Sequence, residues 1–107
     1  MSPLVACPFP PFMGQDLQPL AAGVWGLTRD DPDGSLVVVM IVAEQEGTGA
    51  VGKYLDALPV DRRVIVEACI SLRLAGMLER RGFVEQQQAC FDPATNEWTD
   101  GFVRSAA

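Results

Sequence analysis

The chain contains no histidine. Ser-His-Asp triads, histidine general bases and most zinc or copper sites are excluded with it. Cysteine is scarce as well. Cys7, Cys69 and Cys90 are odd in number, far apart and without a CxxC pair, which indicates free thiols in a reducing compartment and not a disulfide framework. Cys69 lies in an apolar run and is expected as a buried core thiol. Basic residues are outnumbered 8 to 14, giving a net charge of −6 and a pI near 4.4. Such a chain repels phosphate backbones, so nucleic acid is disfavoured as a partner and the acidic surface reads as solubility. Long apolar runs are missing too. The longest, 36–43, is far too short to cross a bilayer, so no membrane partner is expected. Leu4-Val5-Ala6-Cys7 looks like a lipid-attachment signal, but neither a basic region nor an apolar stretch precedes it. The expectation is a soluble cytoplasmic protein without an export signal.

What remains has the composition of one folded domain. At 107 residues, 49% hydrophobic and 21% charged, the chain is too short to give two domains a core each. Residues 1–20 hold Pro3, Pro8, Pro10, Pro11 and Pro19 and so form neither a regular helix nor a central strand. Phe9, Phe12 and Met13 make this arm apolar enough to lie on the core or on a second subunit. A strand is predicted over 23–29, followed by the turn Asp30-Asp31-Pro32-Asp33-Gly34. Residues 35–43, apolar on both faces and rich in β-branched side chains, predict a central buried strand. Val51, Tyr54, Leu55 and Leu58 form one face of a short helix stopped by Pro59. A second apolar strand follows over 63–70. Ser71 then caps a helix over 72–81, with an apolar stripe of Leu74, Met77 and Leu78, ended by Gly82. Strands over 83–91 and 97–104, joined by a turn around Pro93 and Asn96, complete the order β–β–loop–α–β–α–β–β.

The strand over 35–43 runs into Gly47-Thr48-Gly49-Ala50-Val51-Gly52. Glycines let a backbone turn sharply and approach a ligand without a Cβ in the way. The helix start behind them aims free N–H groups at an anion. A phosphate or pyrophosphate would fit there, and so would a tight turn that needed glycine only for its backbone angles. Read as GxGxxG, the segment also matches a dinucleotide fingerprint, with Glu67 placed for a ribose-binding acid. The chain is too short for that fold and ends in an antiparallel hairpin, so this reading ranks behind the next one.

Residues 64–83 resemble the closing part of GNAT-type N-acyltransferases. There a strand leads into a helix of pattern N-x-x-A-x-x-x-Y-x-x-x-G-F, here ending Arg81-Gly82-Phe83. The segment from Glu46 to Leu58 resembles the pyrophosphate loop of that family and its helix, and the resemblance covers 35–104. It implies an α/β (α+β) fold: a mixed, mostly antiparallel central sheet with flanking helices, splayed after the strand over 35–43. It also implies acetyl-CoA as co-substrate. The pantetheine arm would lie along Ile41, Val42 and Ala43, and the pyrophosphate on Gly47, Thr48, Gly49, Ala50, Val51 and Gly52, with Ser71 at the start of the second helix. An amine of a small molecule or protein would attack the thioester while a base takes its proton.

Several positions depart from that pattern. The first loop position falls on Glu44 or Glu46, and the usual tyrosine acid falls on Leu78. Tyr54, the single tyrosine, reads as a core aromatic. The candidate bases are Glu67, set among apolar residues in a strand, and Glu46. A paired Glu67 would take Arg62, Arg63 or Arg73 as its partner. Arg73, Arg80 and Arg81 otherwise read as the solvated face of the second helix. With only about 34 residues before the core, an acceptor site would be small, completed by a second subunit, or lost. The alternative is a non-catalytic structural or interaction protein on the same fold, such as a phage virion component assembling through its arm.

Overall fold

The computed structural model describes residues 7–12, 14–67, 71–93 and 95–107. The residues before Cys7, together with Met13 and Cys69, lie outside that set, so the expectations placed on them stay as stated. The elements run β1 (Gln18–Ala21), β2 (Val24–Asp30), β3 (Leu36–Ala43), α1 (Ala50–Asp56), β4 (Val64–Glu67), α2 (Leu72–Glu79), β5 (Val84–Asp92) and β6 (Glu97–Arg104). Among the described residues the protein is a mixed α/β fold with a six-stranded, mostly antiparallel sheet and two helices.

Strand order is β1-β2-β3-β4-β6-β5. The β3–β4 pair is parallel and the other pairs are antiparallel. β1 was not expected. It lies at the sheet's edge and contains Pro19, which an edge position tolerates because the missing N–H costs no ladder bond there. α2 stops two residues earlier than expected, at Glu79, and Gly82 then takes φ +84, the left-handed conformation that glycine adopts freely.

Both helices cover one face of the sheet. Leu55 and Leu58 from α1 and its exit, and Leu78 from α2, pack with Val38, Val64, Val66, Phe83 and Phe102. Each fully buried leucine contributes on the order of 2 kcal/mol of transfer free energy. The opposite face buries Val37, Ile65, Ala89, Cys90 and Val103. Tyr54 is half-buried against the helix-side core, as expected, and burial pushes its phenol up. β3 departs from its expectation. Val37 and Val38 are fully buried, but residues 39–43 are only half-buried. The register with β4 runs from Leu36↔Val64 to Val38↔Val66. Among the described residues no strand lies on that side of 39–43. An apolar strand end left without a neighbour is half of a cleft.

Candidate functional site

The other half of the cleft comes from the turn after β3 and from the start of α2. Gly47 (φ +80) and Gly49 (φ +77) take left-handed backbone angles that other residues reach only with strain. Thr48 Oγ1 donates to the Gln45 carbonyl at 3.1 Å and ties the loop to itself. Gly52 serves another purpose: a Cβ there would sit 3.2 Å from Arg81 Nη2 and 3.6 Å from Met77 Cε. Glycine at 52 therefore lets α1 lie close against α2.

The resulting cleft has a volume of about 200 Å³. Residues 45–52 form one wall, Ile41 and Ala43 of β3 the floor, and Ser71, Arg73, Leu74 and Met77 the other wall. Most of the residues expected at a cofactor site thus come together. Val42 does not join them, because strand alternation turns it to the opposite face from Ile41 and Ala43. Ser71 caps α2, its Oγ accepting from the Leu74 N–H at 3.2 Å. Among the described residues, no hydrogen bond is donated by the backbone N–H groups of 45–49. The apolar side chains give the cleft a greasy floor, and the loop gives it a rim of free donors.

Charge is distributed unevenly around this rim. Glu46 lines the cleft, whereas Glu44 is drawn away by Trp25, whose Nε1 donates to Glu44 Oε1 at 2.7 Å. Arg29, Arg62, Arg63 and Arg81 form ion pairs, and Arg104 donates to the Pro59 carbonyl. Among the described residues, no ion pair or hydrogen bond holds the side chain of Lys53, Arg73 or Arg80. Arg73 is exposed, as expected for the solvated helix face, and also borders the cleft. Arg81, expected on that same face, is half-buried and bonds Asp56 and the Met77 carbonyl.

Glu67 does not reach the cleft. Val64 and Val66 point to the helices, so Ile65 and Glu67 point to the other face. There Glu67 is 6% exposed. Arg29 Nη1 donates to its Oε2 at 3.1 Å, and Thr99 Oγ1 donates to its Oε1 at 3.1 Å. Its ionic partner is therefore Arg29, not Arg62, Arg63 or Arg73; nothing local in the sequence pointed across 38 positions. Arg29 Nη2 also donates to Cys90 Sγ at 2.8 Å and to the Phe91 carbonyl at 2.9 Å. Its Nε makes no hydrogen bond among the described residues and has Asp31 Oδ1 at 3.5 Å. Burial works against the Arg29 cation, but Cys90, Glu67 and Asp31 outweigh it and its pKa is raised. Burial pushes the Cys90 thiol up to about 11, against the pull of Arg29 and with the help of Glu67. Leu78, where the resemblance would lead one to expect a tyrosine acid, is fully buried in the helix-side core and does not line the cleft.

Among the described residues, no helix is long and apolar enough to cross a membrane, and no cluster of His, Cys, Asp and Glu is arranged to hold a metal ion. Compared with known proteins, the chain matches no family model, no curated protein and no solved structure.

Proposed function

We propose that the cleft between β3, the 45–52 loop and α2 binds acyl-CoA, and that the protein is a compact relative of GNAT-type N-acyltransferases. One observation carries this reading. The loop's unbonded amides meet a half-exposed apolar strand end in a single cleft, which suits a ligand with an anionic end and a slender, less polar arm. Transfer would consist of attack by an amine nitrogen on the thioester carbonyl. The C–S bond then breaks, the amine proton goes to a base, and the departing thiolate takes up a proton from that protonated base or from water. Glu46 is the carboxylate that borders the cleft and is the candidate base. Glu67, turned to the other face and held by Arg29 and Thr99, is a positioning element at most.

The mostly antiparallel sheet favours this reading over a dinucleotide-binding half-domain. Such a domain is built on parallel strands, and its ribose-binding acid would be the occupied Glu67. The burial of Leu78 favours a second reading, in which the same cleft serves a structural or interaction protein that no longer turns over. Phe9 and Phe12 of the arm, offered as its assembly surface, are half-buried in the single chain.

Calorimetric titration with acetyl-CoA, with NAD in parallel, tests the proposal. Micromolar acetyl-CoA binding lost in Gly49→Glu is the expected result, followed by thiol release when amines are screened. Binding without thiol release from any amine selects the second reading. Absence of acetyl-CoA binding sinks the proposal.

A further inference from the structure

An open sheet has two edges, each a row of backbone N–H and C=O groups with which another strand can pair. The order β1-β2-β3-β4-β6-β5 puts β1 at one edge and β5 at the other. β1 is protected by its own sequence: it is four residues long and carries Pro19, which cannot donate to a neighbouring strand. β5 has neither protection. It runs for nine residues without proline, all of them exposed or half-buried except Ala89 and Cys90. Among the described residues, no strand pairs with its outer side. Val84 is 61% exposed, and the exposed Phe91 ring lies 5.6 Å from that of Trp98 on β6. A long edge with apolar side chains on it invites a second copy of the same strand.

A bulge interrupts this edge. Gln86 stands opposite Gly101 and Cys90 opposite Thr99, so Gln87, Gln88 and Ala89 together face Asp100 alone. Gln88 takes φ +51, a left-handed conformation that a residue with a Cβ adopts only at a cost. Asp100 holds it there, its Oδ1 accepting from the Gln88 N–H at 2.9 Å. Ala89 is turned in beside Cys90, Ile65 and Val103. We infer that this bulge, pinned by Asp100, guards β5 against pairing with β5 of a second copy. The edge is cut into two stretches, 84–86 and 90–92, each separately in register with β6. A bulge bends its strand and raises the local twist, so the two stretches do not present one straight ladder to a partner. Without Gln87 and Gln88, Ala89 would stand opposite Asp100 and the registers on either side would be unchanged. The strand would then be a regular antiparallel edge, able to pair with its own copy about a two-fold axis. The guard is independent of the cleft, which β5 does not line.

Sedimentation velocity over a range of protein concentrations, with hydrogen exchange at 84–92, tests this on the full chain. The wild type is expected to show no concentration-dependent protection at 84–92. Asp100→Ala removes the acceptor that pins the bulge, and deletion of Gln87 and Gln88 removes the bulge itself. Each is expected to associate at least about tenfold more tightly than the wild type, the worth of roughly one net backbone hydrogen bond. Protection at 84–92 should rise with that association. Asp100→Asn keeps an oxygen acceptor in the same place and is expected to behave as the wild type, which separates the pinned bulge from a loss of charge. Far-UV circular dichroism and thermal unfolding check that each variant folds. Asp100 is exposed, so Asp100→Ala carries the test if the deletion does not fold. Either variant, folded and no more associated than the wild type, overturns the inference. Equal association of Asp100→Asn and Asp100→Ala also overturns it, because charge alone would then guard the edge. Concentration-dependent protection of 84–92 in the wild type overturns it as well.

Discussion

On one face of the sheet, Arg29 and Glu67 meet at 3.1 Å beside Cys90 and Thr99, and each polar group is matched chiefly by another from the protein. On the other face, among the described residues, the backbone N–H groups of 45–49 donate no hydrogen bond and the Arg73 side chain has no ionic partner at the rim of an apolar cleft. The two regions hold similar chemistry, with charges and hydrogen-bonding groups in both, but only the first is closed. In a low-dielectric interior a charge without a partner is costly, so the buried group must be satisfied internally. At a solvent-exposed rim water satisfies the donors, and a ligand can replace the water. The closed cluster therefore serves the fold, and the open rim is where we propose that a ligand binds.

The largest expected effect separates the two regions most sharply. Glu67→Ala leaves Arg29 without its main partner and is expected to lower stability by about 3 kcal/mol, at the low end for buried pairs because Arg29 retains some exposure. Urea unfolding measures the loss, and acetyl-CoA affinity of the folded variant should not change. A stable variant that fails to bind would mean that Glu67 belongs to the ligand site after all. Next in size is Gly49→Ala, which forces a Cβ into a left-handed backbone and should cost about 1 kcal/mol while also weakening acetyl-CoA. Here stability and binding fall together, unlike at Glu67.

A third comparison uses pH. The Cys90 thiol is raised from 9.0 to about 11 in the folded chain. Between those values the unfolded chain has released the proton and the folded chain keeps it. Stability is therefore expected to fall as pH rises from about 9 to about 11. Urea midpoints recorded across this window should decline for the wild type and decline less for Cys90→Ala. An identical decline in both would show that the cluster does not hold the thiol neutral. The smallest effect belongs to the open rim. Arg73→Gln should change stability by less than about 0.5 kcal/mol, and thermal unfolding checks it; a larger loss would give Arg73 a role in the fold.

Elements with a strong local signal were legible in the sequence. The Leu74, Met77 and Leu78 stripe, the Ser71 cap and Gly82 outlined α2 to within two residues, because caps and periodicity are local. The glycine turn was legible for the same reason. β1 was not, since its four residues pair only because β2 offers an edge. The cleft was legible in its loop and in Ile41 and Ala43, but Arg73 was assigned to the solvent face, and Glu67 was expected to find a partner close in sequence or on the next helix.

By itself, then, the sequence determined the absence of histidine chemistry in these 107 residues, the alternation of strands and helices and the glycine turn. These follow from composition and from interactions within a few residues. Tertiary structure alone decided that Glu67 faces Arg29 and that Val42 turns away from the cleft. It also decided that Leu78 is fully buried and that Arg73 lines the cleft. Each depends on which strands lie side by side and which face is covered, and those contacts link positions far apart in the chain.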